Sequence, residues 1–147
     1  MCSEINYIPL KWAIEKHDMI IQISGGLPGI TKESKNHLNS ILTFIKDTKY
    51  YPSFIEKLSF LTYTIAKDHI FIDGNKRTAI ALGAYFLELN EYGFLVSHYM
   101  QEMENYIVWV MENRLTREDL IEKIKYILLD IEEPEYFKLN IIAKLNQ

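Results

Sequence analysis

The sequence predicts an all-α helical bundle of six to eight helices, with a small β-hairpin before the central helices. Three observations support this prediction. Apolar residues recur at steps of three and four along most of the 147 residues. Residues 76–90 are apolar on nearly every side, which is typical of a helix at the centre of a bundle. The stretch QISGGLPGITK holds three of the six glycines in the chain and is the predicted site of the hairpin.

The first four helices follow from residues that mark one helical face. Pro9 suits the start of the first helix, because its missing N–H costs little there, and Gly25 with Gly26 ends that helix. The stretch YYPS separates the second helix from the third, and Gly93 lies just past the fourth. The marking residues, helix by helix, are Leu10, Ala13, Ile14, His17 and Ile21; Leu38, Ile41, Leu42 and Ile45; Phe54, Leu58, Leu61 and Ile65; Ile80, Leu82, Tyr85, Phe86, Leu87 and Leu89.

Three further helices are predicted after Gly93. Thr116 and Asp119 resemble a helix-start capping box, with Asp in place of the usual Glu or Gln. The acidic stretch DIEEPE then interrupts the helical pattern. We therefore predict a domain over residues 1–129 and an acidic C-terminal extension over residues 130–147. The residues with helical spacing are Met100, Met103, Ile107, Val110 and Met111; Leu120, Ile121, Ile124, Ile127 and Leu128; Phe137, Ile141 and Leu145.

Composition excludes several classes of protein. The net charge of −4 has the wrong sign for general nucleic-acid binding, and no apolar run approaches the roughly 20 residues of a membrane helix. The only cysteine, Cys2, cannot form an internal disulfide, and the first residues lack a basic leader followed by an apolar block. We therefore expect a cytoplasmic protein that neither binds nucleic acid directly nor enters a membrane.

The stretch HIFIDGNKRTA, residues 69–79, concentrates polar groups just before the apolar fourth helix. Helix N-termini bind anions through free N–H groups, and Gly74 lets a phosphate approach the backbone closely. Asn75 can direct its amide at an oxygen, while Lys76 and Arg77 add cationic donors. Together these four residues form a predicted phosphate-binding set.

Two neighbours of this set add chemistry. Asp73 is a single carboxylate beside the phosphate site, which is how Mg²⁺ is usually held, and His69 can take a proton from a hydroxyl near pH 7. These are the parts that phosphoryl or nucleotidyl transfer requires. Phe71 is more typical of an apolar anchor for the loop. A plainer interpretation is a common turn followed by solvated cations, but the helix dipole disfavours two cations at an N-terminus unless an anion binds there.

This stretch resembles the signature of the Fic/Doc family, whose core reads H-P-F-x-D/E-G-N-G/K-R. The upstream GGLPGI resembles the glycine-rich flap of the Doc (death-on-curing) type of toxin, and residues 50–94 resemble the central helices of that type. The matching motif positions are His69, Phe71, Asp73, Gly74, Asn75, Lys76 and Arg77.

The resemblance implies a Fic-fold bundle that uses ATP and Mg²⁺ to modify a hydroxyl on a target protein. It makes His69 the catalytic base, Asp73 the Mg²⁺ ligand, and residues 74–77 the phosphate-binding set. It also makes the flap a segment that holds the target extended beside the site by strand addition. The flap residues are Gly25, Gly26, Leu27, Pro28, Gly29 and Ile30.

Three departures from the family pattern refine this interpretation. Ile70 replaces a common proline between the functional positions. Lys76 matches the Doc branch rather than the glycine of the adenylyl-transferring branch, and Ile80 stands where that branch has a second arginine. We therefore expect phosphoryl transfer from ATP to a protein hydroxyl. Nucleotidyl transfer by the same residues, a catalytically silent binding module and a structural bundle with a coincidental anion site remain alternatives.

Two further expectations concern residues outside the loop. Many Fic proteins contain a self-inhibitory Ser/Thr-x-x-x-Glu pattern, and no Ser or Thr in this chain has a Glu four residues later. A toxin of this kind would then need a separate antitoxin protein. The other histidines, at positions 17, 37 and 98, are scattered without metal-ligand spacing, and we assign them no role.

Overall fold

The computed structural model describes residues 4–147, and over that range it is all-helical, which confirms the predicted fold class. Cys2 lies outside the described residues. Seven α-helices and one 3-10 turn follow one another along this part of the chain. They are α1 (Leu10–Ser24), α2 (Lys32–Phe44), α3 (Phe54–Lys67), α4 (Asn75–Leu89), the 3-10 turn (Gly93–Leu95), α5 (Val96–Met111), α6 (Arg117–Leu129) and α7 (Glu135–Leu145).

The predicted β-hairpin is wrong, because residues 4–147 contain no strand. Gly25, Gly26 and Gly29 have φ angles of 83°, 126° and 117°, respectively, whereas residues of paired strands have negative φ angles. The segment instead bonds to the loop before α4, where the backbone N–H of Ile72 donates to the carbonyl of Gly29 at 3.3 Å. The glycines thus lie in an irregular segment, without a turn, that packs against another loop.

Helix α4 occupies the centre of the bundle, as its apolar sequence predicts. It packs against α1, α3 and α5, and Leu82, Phe86 and Leu87 on it are fully buried. Burial on several sides fixes this helix in place, because its apolar surface has no favourable alternative. The N-terminus of α4 is therefore a rigid support for the polar loop that precedes it.

The C-terminal residues fold back on α6. Phe137 of α7 is buried and meets Tyr126 of α6 edge-on, with 5.2 Å between ring centroids. Lys144 Nζ lies 2.7 and 3.0 Å from the two carboxylate oxygens of Asp119 at the start of α6. The short last helix is thus present and packed, while the division of the chain at residue 130 stays a prediction.

The carboxylate of Asp119 caps the start of α6 and also binds Lys144 of α7. We expect Asp119→Ala to lower the free energy of unfolding by about 1–3 kcal/mol. Its carboxylate accepts from the backbone N–H of Thr116, whose hydroxyl accepts from the N–H of Asp119, so the predicted capping box is confirmed. Burial raises the pKa of Asp119, but the bonds from Lys144 and Thr116 outweigh burial and hold the pKa below 3.8. Urea titration of the variant measures the loss.

A matched control and a pH series sharpen this prediction. Glu118 lies in the same turn but is exposed, so Glu118→Ala should change stability little. Because the pKa of Asp119 is lowered on folding, its contribution is present above pH 3.8 and is lost as pH falls through the lower folded-state value. The difference between wild type and Asp119→Ala should therefore shrink in acid. Equal losses in the two variants at neutral pH would contradict the assignment.

Within residues 4–147, none of the helices combines the length and hydropathy that crossing a membrane requires.

Candidate active site

The polar loop runs from the end of α3 to the start of α4. Ile70 and Phe71 are each 2% exposed and fix the loop to the core, as predicted for Phe71. His69 is exposed, with a φ angle of 47° in the left-handed region. The imidazole of His69 thus lies at the surface, while the two buried residues that follow it hold the backbone in place.

Asn75 closes this loop on itself. Its Oδ1 accepts from the backbone N–H of Phe71, and its Nδ2 donates to the carbonyl of Phe71, both at 2.9 Å. Asn75 is only 8% exposed. Its amide therefore shapes the loop, and the predicted amide contact with a phosphate oxygen stays a prediction.

Gly74 caps α4 in a conformation that favours glycine. Its φ of 78° and ψ of 20° are left-handed, and an added Cβ would lie 2.9 Å from Ile21 Cδ1. The N–H of Thr78 is the first to reach a carbonyl of this turn, bonding to Gly74 at 2.9 Å. The three amides before Thr78 have no carbonyl four residues earlier within the helix, which makes this N-terminus suited to an anion.

Asp73 is held in one orientation by two backbone amides. Oδ1 accepts from Gly74 at 2.8 Å, and Oδ2 accepts from Leu27 at 3.0 Å. These bonds, that from Leu27 first, hold the pKa of Asp73 below its ordinary value of 3.8, and the guanidinium of Arg77 acts in the same direction. The side chain is 42% exposed. The carboxylate is therefore ionised near neutral pH and accessible from solvent.

Arg77 reaches across to the end of α1. Its Nη1 donates to the hydroxyl of Ser24 and, at 2.9 Å, to the carbonyl of Gly25, while Nη2 lies 4.0 Å from Asp73 Oδ1. A guanidinium has five N–H donors in a fixed plane, so these bonds orient Arg77 and leave donors for another ligand.

A surface pocket of about 450 Å³ brings the sequence-predicted residues together. The predicted base, metal ligand and phosphate-binding set all line it, together with Met111 at the end of α5, which no sequence pattern predicts there. The lining residues are His69, Ile72, Asp73, Gly74, Asn75, Lys76, Arg77 and Met111.

The predicted flap residues border the site without lining this pocket. Leu27 contacts Asp73 through its amide, Gly29 contacts Ile72, and a Cβ added at Gly26 would lie 2.7 Å from Asp73 Oδ2. Leu27 and Pro28 are exposed, and Ile30 packs partly buried against the core. Contact between this segment and a target protein stays a prediction.

The fit to Mg²⁺ depends on Asp73. Within residues 4–147, no group of three or more His, Cys, Asp or Glu side chains is arranged to hold a metal ion. Mg²⁺ does not need such a group, because one carboxylate with substrate phosphates and waters is enough to hold it. An ionised, accessible carboxylate beside a phosphate-suited helix N-terminus meets that requirement.

His17 is a site residue that sequence reasoning missed. It is fully buried on α1, its Nε2 lies 2.8 Å from the carbonyl oxygen of Asp73, and its ring stacks on Phe71 at 3.8 Å. The available signal was a polar side chain at the spacing of Ala13 and Ile21 on the apolar face of α1. That position predicts burial but does not reveal the partner, which lies 56 residues away.

Comparison with known proteins adds one finding. The family model described as the Fic/DOC family matches residues 7–87, more than half of the chain. The match extends from just before α1 almost to the end of α4, so it includes the pocket loop and the glycine-rich segment. Among curated proteins, none matches the chain with significant similarity.

Proposed function

Because the chain belongs to the Fic/DOC family, whose members are typically transferases that modify proteins with nucleotides, we propose that it transfers the γ-phosphoryl group of ATP to a hydroxyl of a target protein. The observation that supports this most directly is the placement of Lys76 in one pocket with His69 and Asp73, at the N-terminus of α4.

His69 acts as the general base in the proposed reaction. Its exposed imidazole takes the proton of the target hydroxyl as that oxygen forms a bond to the γ-phosphorus. The bond between the γ-phosphorus and the β–γ bridging oxygen breaks, and ADP leaves with the bonding electrons. Phosphoryl transfer of this kind depends chiefly on positioning and charge stabilisation, which the rigid start of α4 supplies.

Several groups stabilise the negative charge of the phosphates in the proposed complex. Free amides at the start of α4, Lys76 and the remaining donors of Arg77 bind phosphate oxygens. Asp73 would hold Mg²⁺, which neutralises phosphate charge when it is bound. The carboxylate accepts two hydrogen bonds and the guanidinium donates two, and these bonds orient both groups before any substrate arrives.

Lys76 favours phosphoryl over nucleotidyl transfer. A glycine at this position would let a phosphate approach the backbone, whereas lysine fills that space and supplies a mobile charge. One turn later, Ile80 is buried at 8% exposure and lines an apolar groove, so it offers no second cation for the terminal phosphates. The proposed ATP orientation is therefore reversed, with the γ-phosphate at the reacting position. A nucleotidyltransferase acting through the same residues is the second candidate.

The chemical outcome is tested by two ATP samples, one labelled at the γ-phosphate and one at the α-phosphate. Each is incubated with the protein and a cell lysate, and labelled proteins are separated. We expect label from the γ-position only, and loss or redirection of it in Lys76→Gly. Lys11 occupies the corresponding second position of α1 and is a surface residue, so Lys11→Gly is the matched control and should transfer label normally.

Other outcomes of this experiment identify the alternatives. Label from the α-position only would overturn phosphoryl transfer in favour of nucleotidyl transfer. No label from either sample, with folded protein present, would favour a catalytically silent binding module. A separate antitoxin partner is part of the same proposal, since no self-inhibitory pattern is present in the sequence.

A further inference from the structure

His17 bonds to the main chain of the residue that presents the predicted metal ligand. Its side chain is fully buried, and Nε2 lies 2.8 Å from the carbonyl oxygen of Asp73. A carbonyl oxygen can only accept, so Nε2 carries a proton and donates it. Nδ1 lies 3.3 Å from Oδ1 of Asp18 at the surface. The buried imidazole thus contacts the exposed side chain of Asp18 through one nitrogen and the main chain of the loop through the other.

The same ring also fixes the residue that anchors the loop. The imidazole is nearly parallel to the ring of Phe71, with an interplanar angle of 6° and 3.8 Å between centroids. Phe71 is in turn tied to Asn75 at the start of α4 by two hydrogen bonds. His17 therefore holds the loop at two points, by stacking on Phe71 and by bonding to Asp73.

These contacts belong to a set of restraints that α1 and the residues after it place on the loop. Leu27 restrains the carboxylate of Asp73, while Ser24 and Gly25 restrain the guanidinium of Arg77. His17 restrains the main chain of Asp73 from the buried side. With the main chain and the carboxylate both fixed, little freedom remains in the direction of the carboxylate.

We propose that His17 is a positioning residue, which sets the direction of the Asp73 carboxylate and thereby the affinity for MgATP. This inference rests on the proposed function, because it assigns His17 to the nucleotide site of that reaction. Removing a residue that hydrogen-bonds to a metal ligand typically lowers metal affinity or activity by about 10- to 100-fold. Replacing a buried histidine that only filled space would lower folding stability without a specific loss of affinity for MgATP.

The test separates the hydrogen bond from the ring. Gln can place an amide N–H near the position of Nε2, whereas Asn is one methylene too short to reach the carbonyl of Asp73. Phe keeps a ring on Phe71 but cannot donate. His17→Gln, His17→Asn and His17→Phe are compared with His98→Phe, a substitution of an exposed histidine that lines none of the predicted site.

Three measurements are made on each full-length variant. Calorimetry gives the affinity for ATP in the presence of Mg²⁺, amide hydrogen exchange without nucleotide reports the order of residues 73–75, and thermal unfolding reports stability. We expect His17→Asn and His17→Phe to bind MgATP about 10- to 100-fold more weakly, with faster exchange at Gly74, whose N–H donates to Asp73 Oδ1. His17→Gln should stay within a few-fold of wild type, and His98→Phe should match it.

The outcomes distinguish this inference from the proposed reaction. Wild-type affinity and exchange in His17→Asn would overturn the positioning role, as would equal affinity losses in the Gln and Asn variants. If His17→Phe fails to fold, the comparison of Gln with Asn still decides. If wild type binds MgATP, the His17 variants bind it more weakly as expected, and wild type transfers no label, the positioning role is supported and the proposed reaction is ruled out. Absence of MgATP binding by wild type overturns both.

Discussion

Replacing His69 with alanine is expected to lower the rate of label transfer by about 10²- to 10⁴-fold, because the target hydroxyl then lacks a general base. The fold should remain intact, since His69 is exposed while its neighbours Ile70 and Phe71 fix the loop in the core. Transfer from γ-labelled ATP to lysate protein measures the rate, and thermal unfolding verifies the fold.

His37 offers a matched control for this experiment. It is also an exposed histidine near the loop, with Nε2 2.7 Å from a carboxylate oxygen of Asp68, the residue just before His69. His37→Ala removes an imidazole from the same region but leaves the pocket lining intact. It should transfer label at close to the wild-type rate. Equal turnover by wild type and His69→Ala would remove His69 from the mechanism.

Replacing Gly83 with alanine should destabilise the protein by about 3 kcal/mol or more, at the upper end for overpacked cores. An added Cβ would lie 1.9 Å from the hydroxyl oxygen of Tyr99 and 3.0 Å from Oγ1 of Thr62. These two hydroxyls are buried and bond to each other at 3.0 Å, so neither can withdraw without losing its partner. Alanine normally stabilises a helix interior by about 1 kcal/mol relative to glycine, so the expected sign is reversed.

Urea titration checks this prediction against two further variants. Gly93→Ala is the control, because its nearest contact would be Glu88 Cγ at 3.8 Å, an ordinary van der Waals distance. Removing the hydroxyl in the double variant Gly83→Ala/Tyr99→Phe should restore part of the lost stability, since the closest clash disappears. Destabilisations that simply add in the double variant would show that the clash with Tyr99 is not the cause.

Local patterns in the sequence predict a large part of this structure. The apolar composition of residues 76–90 predicts the central helix, and Thr116 with Asp119 predicts the start of α6. Both patterns involve only residues close together in the chain. The motif loop was located because its residues are contiguous. The hairpin prediction failed because glycines permit many backbone conformations besides a hairpin turn, and the partner of the segment, Ile72, lies far along the chain.

Contacts between distant residues explain what the sequence did not reveal. His17 and Asp73 are 56 residues apart, and Ser24 and Arg77 are 53 residues apart. Helical periodicity indicates which face of α1 is buried but not which loop covers it. The role of Asn75 was equally hidden, since an amide that can bind a phosphate can also bind a nearby backbone, and only the folded loop shows both of its polar atoms on Phe71.

The bond between Leu27 and Asp73 has a thermodynamic consequence. It joins the glycine-rich segment, where the proposed target would lie, to the carboxylate proposed to hold the metal. A ligand that pulls Leu27 away changes the charge stabilisation of Asp73, and a ligand that draws on Asp73 changes the restraint on Leu27. Linkage requires such effects to be equal in both directions, so the order in which two substrates bind would not alter their combined free energy. One hydrogen bond of 3.0 Å would thus couple the two proposed binding equilibria.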